Sequence, residues 1–306
     1  MPADPKTLSS AKRLGFFCTN LVLRGLIATA TLVPYRWRVP AMGWLVTRLS
    51  RRLGYEKRIR RNLAIARPDL GEKDIQAICR AVPDNAGRTL IELYSGAAFL
   101  QRAHAAEITG PGLQALERAR ANGQPVILMA AHFGNYDAAR AGLIARGHTL
   151  GALYRRMANP YFNAHYVRTI SSIGEPLFEQ GRRGMTQMVR HLKSGGIIAI
   201  VGDLHAFGGR ELTFFGQPAV TAIAPAELAL KFNAVVIPIY SIRLDNGLDF
   251  QTIMQAPIPH SDPETMTQAI NDGLEQLVRE HMGQWFWIHR RWKPWHDLGL
   301  QDHDSV

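Results

Sequence analysis

Residues 125–147 read PVILMAAHFGNYDAARAGLIARG, and the fold follows from how that stretch divides. An unbroken apolar run ends at Ala130-Ala131, which is the signature of a strand buried on both faces. His132 to Asn135 then supply turn residues, and from Tyr136 the apolar positions recur at helical spacing to Arg146. A buried strand followed by a tight turn and a helix is one βα unit of an α/β protein. The same alternation continues on both sides. Strands are predicted at 125–130, 149–154, 197–201, 234–239 and 250–255, and helices at 112–121, 136–146, 159–173, 184–193, 224–232 and 263–282. A longer helical stretch, 72–100, precedes them with Pro83 as its predicted kink. Asp245-Asn246-Gly247 between the last two strands marks a hairpin turn, so one pair is antiparallel. The expected class is α/β: a central mixed, mostly parallel sheet flanked by helices, with an N-terminal helical membrane-anchoring region.

The chain has 306 residues, 46% of them hydrophobic, and no low-complexity tract, which excludes a disordered chain and a small stapled scaffold. Cys18 and Cys79 are its two cysteines, too few and too far apart for a disulfide framework or a structural zinc site. No Walker A loop, GxGxxG, GxSxG or HExxH occurs, so neither a metal nor a cofactor is indicated. Thirty-six Lys and Arg against 25 Asp and Glu leave a formal charge of +11, favouring an anionic partner.

The charge is concentrated near the N-terminus. Leu14 to Val33 is apolar apart from Asn20 and Arg24, and is about long enough to cross the ~30 Å core of a bilayer. Arg24 requires that the helix lie at the interface or turn that side chain to protein or head groups. Arg36 to Arg61 then carries nine basic residues against Glu56, interleaved with Trp37, Trp44 and Tyr55, side chains suited to a head-group layer. Residues 1–61 are therefore read as membrane anchor and basic interfacial helices, and 62–306 as a catalytic domain. A basic helical hairpin with a solvated face is the plainer alternative. No nucleic-acid-binding motif accompanies the basic stretch, so nucleic acid is not expected as a partner.

His132 and Asp137 form an H-x4-D pattern across the turn, which would let the two side chains converge. A carboxylate on one imidazole nitrogen fixes the tautomer and leaves the other nitrogen to take a proton from a hydroxyl. Without a Ser or Cys nucleophile in the motif, the acceptor hydroxyl becomes the attacking group, which points to direct acyl transfer. The plainer alternative is a turn histidine beside a helix-start carboxylate.

Further stretches stand in fixed order: RNLA at 61–64, NAGRTLIE at 85–92, AAHFGNYD at 130–137, LYRRMANP at 153–160, GDLH at 202–205, TFFGQPAVT at 213–221 and WIHRRWK at 287–293. On these the chain resembles the bacterial lipid A late acyltransferases, the lauroyl/myristoyl enzymes of the lysophospholipid acyltransferase-like superfamily. The resemblance covers nearly the whole chain, departing at Asp203-Leu204, where members often carry Asp-Gln. It implies an inner-membrane enzyme of lipopolysaccharide biosynthesis with a cytoplasm-facing site, an acyl carrier protein thioester as donor, and a lipid A precursor as acceptor. It also implies His132 as general base oriented by Asp137.

Arg155 or Arg156 would neutralise a phosphate or oxyanion, or else belong to a solvated charge cluster. Asp203 would sit near the site at a strand end, or cap a turn. Phe214, Phe215 and Gly216 would shape a substrate pocket, or pack the core and make a turn. The cationic and aromatic residues from Trp285 to Trp295 suit a lipid interface or packing beside the site. Two other readings are an acyltransferase for another lipid acceptor, a lysophospholipid or glycolipid, and a non-catalytic membrane-binding basic protein.

Overall fold

The computed structural model describes residues 8–293. Four helices come first: α1 (Ser10–Leu32), α2 (Tyr35–Leu49), α3 (Tyr55–Ala66) and α4 (Glu72–Leu93). The α/β part follows as α5 (Ala97–Ala105), β1 (Glu107–Thr109), α6 (Pro111–Ala121), β2 (Val126–Ala130), α7 (Tyr136–Ala145), β3 (Leu150–Tyr154), α8 (Pro160–Ser171), β4 (Leu177–Glu179), α9 (Arg182–Lys193) and β5 (Ile197–Val201). It ends with β6 (Arg210–Phe214), β7 (Gln217–Thr221), α10 (Ala224–Phe232), β8 (Val235–Arg243), β9 (Phe250–Met254) and α11 (Pro263–Glu280).

Seven strands form one sheet in the order β1-β9-β8-β2-β5-β3-β4, and β6 and β7 form a separate hairpin. β8, β2, β5, β3 and β4 are parallel, whereas β9 runs antiparallel to β8. The expected mixed, mostly parallel sheet is therefore present, with the antiparallel pair joined through the Asp245–Gly247 turn. β2 lies in the middle, and its side chains alternate between the faces. Val126 and Leu128 join the core under α6 and α7, while Ile127 and Met129 join the one under α9, α10 and α11. Full burial of a side chain such as Ile127 or Leu128 stabilises the fold by roughly 1.5–3 kcal/mol.

α4 continues through Pro83 and ends at Leu93, and Gly96, at φ +53°, precedes a separate α5. The expected single stretch 72–100 is thus two helices. β1, β4 and the β6–β7 hairpin were not expected. The first two are three residues long, too short to show a period.

α1 spans 23 residues, about 35 Å at ~1.5 Å per residue, and its apolar side chains Leu14, Val22, Leu26 and Leu32 are all more than 60% exposed. Length and composition make it a candidate membrane span. It rests on α8: Asn159 donates to the Phe16 carbonyl at 2.8 Å, and Phe17 meets Tyr161 edge to face. α2 leaves Trp37 and Trp44 exposed, each under a guanidinium, Arg36 and Arg48. Not every basic residue of 36–61 faces outward. Arg38 is buried and donates to Ser95 Oγ and to the Thr31 and Val33 carbonyls, and Arg60 pairs with Glu72. Tyr55 is half-buried against the core. Residue 61, the expected domain boundary, falls inside α3, whose fully buried Ile59 and Leu63 pack with Trp285 and Trp287 in one cluster.

A buried polar network ties α4 to the end of β8. Arg243 donates through Nη2 to Glu92 at 2.7 Å and to Thr89 Oγ1 at 3.2 Å, and through Nε to Asn85 Oδ1 at 2.8 Å. Removing one member of a buried, hydrogen-bonded ion pair strands the other charge, at a cost of about 3–5 kcal/mol. Arg243→Met is expected to destabilise the protein by that amount in chemical denaturation, and Glu92→Gln added to it to recover part of the loss. A change within experimental error in the single variant would show that the pair does not brace the fold.

Candidate functional site

β2 and β5 are neighbours in parallel register, with Ala130 opposite Val201. Two residues beyond each strand's end stand His132 and Asp203, so the register alone brings them face to face at the C-terminal edge of the sheet, where open α/β sheets place their sites. The His132 Nδ1 lies 2.8 Å from Asp203 Oδ1, and the His132 backbone N–H donates to Asp203 Oδ2 at 3.0 Å. Trp285 Nε1 donates to the same Oδ2 at 2.8 Å.

Burial by itself would raise the Asp203 pKa. The opposing charge of His132 and the donated hydrogen bonds overturn that and hold the carboxyl well below the usual carboxylate range. Burial likewise disfavours the imidazolium of His132, but Asp203 outweighs it and the pKa is raised above 6.5. An ionised carboxylate only accepts hydrogen bonds, so Nδ1 carries the proton and the neutral ring has a bare Nε2. Nε2 has no hydrogen-bond partner among the described residues, and 27% of the side chain is exposed. This is the geometry of a base that can take a proton from an approaching hydroxyl.

The turn carrying His132 is held by its backbone. Gly134 has φ +52°, and a Cβ there would lie 1.8 Å from the Ser241 carbonyl oxygen, so no other residue fits. Its N–H donates to the Gln284 carbonyl, and Asn85 Nδ2 and Thr89 Oγ1 both donate to its own carbonyl at 3.1 Å. Asn135 caps α7 through Oδ1, which accepts from the N–H groups of Asp137 and Ala138, while its Nδ2 donates to Glu92. From the other side, Phe286 N–H donates to the His132 carbonyl at 2.9 Å.

Asp137 does not orient His132; no hydrogen bond or ion pair joins them among the described residues. Asp137 sits in the first turn of α7, buried, with its carboxylate 3.8 Å from Arg140 one turn along. Burial raises its pKa and Arg140 partly opposes that. The physical reason is register: the adjacent parallel strand delivers a carboxylate to Nδ1 directly, whereas the N-terminus of α7 holds Asp137 on the helix. Of the two readings of Asp203, a turn cap or a place near the site at a strand end, the structure has the second, and the carboxylate is the imidazole's partner.

The other expected site residues separate. Arg155 is exposed and Arg156 half-buried just past β3, neither with a hydrogen bond or ion pair among the described residues. Phe214 and Phe215 are buried in an aromatic cluster with Trp285, Trp287 and Trp292, so they form core rather than pocket wall. Phe215 and Gly216, both at positive φ, make the two-residue turn between β6 and β7. Trp285, Trp287 and Trp292 are buried too, not spread on a lipid interface. Trp295 lies outside the described residues.

Several residues that matter here carried no chemical signal in the sequence. Asn62 on α3 donates at 2.6 Å to both the Trp287 and His289 carbonyls, and buried Arg291 donates to the Val220 carbonyl and Thr221 Oγ1. These contacts hold the segment 285–292 against the site. They also place His289 beside His132, ring centroids 4.5 Å apart and edge to face. Burial, and then the His132 charge, push the His289 pKa down to about 4, and its Nε2 is buried without a hydrogen-bond partner. Among the described residues, no cluster of His, Cys, Asp and Glu has the grouping of a metal site.

Comparison with known proteins places the sequence in a family. The family described as bacterial lipid A biosynthesis acyltransferase matches over residues 5–294. Phosphatidylinositol mannoside acyltransferase of Mycobacterium tuberculosis is 25% identical over 185 residues, 59% of this chain and 58% of that one. This chain therefore spans a little under three fifths of the mycobacterial relative's length. A lipid A biosynthesis acyltransferase of Haemophilus influenzae is 25% identical over 264 residues, 82% of this chain and 81% of that protein. Lipid A biosynthesis myristoyltransferase of Escherichia coli is 23% identical over 270 residues, 86% of this chain and 83% of the relative. With a match that runs from before α1 to beyond Lys293, the chain belongs to the bacterial lipid A biosynthesis acyltransferase family.

Proposed function

We propose that this protein is a membrane-bound O-acyltransferase that moves a fatty acyl chain from an acyl carrier protein thioester to a hydroxyl of a lipid A precursor. The observation that carries the reading is the His132 imidazole, its Nδ1 on buried Asp203 and its Nε2 bare and solvent-accessible at the C-terminal edge of the sheet. Nε2 takes the proton of the acceptor hydroxyl as its oxygen attacks the thioester carbonyl, and Asp203 stabilises the imidazolium so formed. Collapse of the tetrahedral adduct releases the thiol, which recovers the proton from His132. Asp137 acts at one remove, fixing the start of α7 through Arg140.

α1 and the exposed tryptophans of α2 form the membrane-attachment region, residues 1–61 in the broad division, with the basic charge on the cytoplasmic side of the inner membrane. The formal charge of +11 suits an acidic carrier protein and an anionic lipid surface. A second reading, an acceptor that is a different glycolipid, is favoured by the mycobacterial relatives, whose name specifies a phosphatidylinositol mannoside.

Three outcomes are expected. His132→Ala abolishes transfer, and Asp203→Asn lowers kcat by roughly 10²–10⁴-fold with the fold intact. Asp137→Ala instead lowers stability by about 1–3 kcal/mol, because it removes the carboxylate opposite the buried Arg140 guanidinium and leaves it only the Ile170 and Gly174 carbonyls. Steady-state kinetics and chemical denaturation of the three variants separate the roles, and equal kinetic losses in the two aspartate variants with unchanged stability would assign Asp137 to the chemistry.

The acid limb of the wild-type pH–rate profile falls as His132 becomes protonated, so its midpoint lies above 6.5. Loss of the Asp203 charge in Asp203→Asn leaves burial in control and moves that midpoint to lower pH. A midpoint unmoved by the substitution would exclude the pairing as its cause.

Leu21→Asp with Leu26→Asp, both on the exposed face of α1, lowers recovery in the membrane fraction by more than about tenfold, since each buried leucine contributes roughly 1.5–3 kcal/mol. Undiminished recovery would remove α1 from the attachment.

A further inference from the structure

β2, β5, β3 and β4 are parallel neighbours in that order, so their chains leave the sheet along one edge. Register sets what stands there. Ala130 lies opposite Val201, Ala152 opposite Ala199 and Tyr154 opposite Glu179. The residues just past the four strands are therefore His132, Asp203, Arg155 with Arg156, and Arg182 with Arg183 at the start of α9. At ~4.8 Å per strand, the last pair stands roughly 15 Å from the line of β2. A row that begins at the imidazole ends in four guanidinium groups.

That row belongs to a second excess of positive charge, separate from the one at 36–61. Between 151 and 202, seven Lys and Arg stand against Glu175 and Glu179. α9 extends it, since Gly184, Met188 and Leu192 face the core while Arg182, Arg183, Arg190 and Lys193 are exposed, with Thr186 and Gln187 between them. Elsewhere on the surface, basic side chains answer carboxylates, as Arg60 does Glu72 and Arg279 does Glu275. Here none does. Arg155, Arg156, Arg182, Arg183, Arg190 and Lys193 make no ion pair or side-chain hydrogen bond among the described residues. Glu179, at the tip of β4, accepts instead from the Tyr154 hydroxyl at 3.1 Å, and Glu175 lies before the start of that strand. Like charges gathered on one face repel one another, and an acidic partner relieves that repulsion.

The surroundings narrow the partner. A lipid surface is gripped by apolar side chains set beside the cations, and α9 exposes no large apolar residue, because its own join Ile127 and Met129 of β2 in the core. α1, the candidate membrane span, rests on α8, which packs with α7; α9 lies on the opposite face of the sheet with α10 and α11. Guanidinium forks spread along a helix suit a protein surface that bears carboxylates, each of which can accept two of their donors. Distance adds a further constraint. A partner seated three strands from His132 reaches the base only through an extended arm, which is how a carrier-borne thioester is presented.

We propose that the exposed face of α9, with Arg155 and Arg156 as its inner end, docks the acidic surface of the carrier protein that brings the acyl thioester, so that the thioester arm runs along the strand ends to His132. The inference rests on the acyl-transfer reading for the identity of its partner.

Calorimetric titration of acyl carrier protein into the full chain in detergent micelles, across a salt series, tests this without requiring turnover. Wild-type protein is expected to bind, and to bind more weakly as salt rises. Arg182→Glu with Arg183→Glu weakens binding at low salt by at least about tenfold and flattens the salt dependence. Thermal melting stays unchanged, since both side chains are exposed and acids are favourable in the first turn of a helix. Arg118→Glu with Arg120→Glu makes the same change in net charge at the end of α6, beside the start of β2 at the opposite edge of the sheet, and leaves the affinity nearly unchanged. No binding by the wild-type protein, full affinity in the α9 variant, or equal losses in the two variants overturns the proposal. An α9 variant that keeps its affinity for the carrier but no longer sediments with phosphatidylglycerol vesicles overturns it in favour of lipid. Wild-type protein that binds the carrier as described yet transfers its acyl chain to no acceptor refutes the acyl-transfer reading and leaves the docking surface standing.

Discussion

A single buried carboxylate organises the functional end of this molecule. Asp203 accepts from the ring of His132, from its backbone N–H and from the indole of Trp285, so one side chain at the tip of β5 fixes both the orientation of the base and the segment that closes over it. A buried charge survives only where it is fully paired, and each of these three donors answers that requirement. The aromatic cluster around Trp285 removes water from the pair, which strengthens the electrostatic coupling that raises the His132 pKa.

The remaining machinery supports that contact from a distance. The network of Glu92, Arg243, Asn85 and Thr89 fixes the carbonyl of Gly134 and the side chain of Asn135, thereby setting the exit of the chain from β2 into α7. Asn62 does the same for the strap 285–292. The motifs in α3, α4 and the C-terminal segment are thus scaffolding for a histidine whose ring, among the described residues of that segment, meets Phe286 and His289.

The sheet was legible because its central strands, buried on both faces, are written as continuous apolar runs, and Ile197–Val201 and Phe250–Met254 match their predicted positions to within a residue. His132 stood out for the same reason, being the first polar residue beyond such a strand. That Asp203 lies near the site was legible from its place at a strand end, but its pairing with His132 was not. Asp137 is five residues away in the chain and Asp203 is 71, and only the adjacency of β2 and β5 makes the distant one near. Strand order is a tertiary fact that periodicity does not encode. The tryptophans left two readings open in the sequence, a lipid interface or packing beside the site, and the second holds: Trp285, Trp287 and Trp292 are buried, with Arg291 held among them by hydrogen bonds to Val220 and Thr221.

The account turns on which nitrogen of His132 holds the proton. ¹⁵N NMR of histidine-labelled protein, with His132 assigned by substitution, reads this directly. A neutral ring protonated at Nδ1 with a bare Nε2, changing tautomer balance when Asp203 becomes Asn, is the predicted result. A proton on Nε2 in the wild-type protein, or a ring indifferent to the loss of the Asp203 charge, would contradict it.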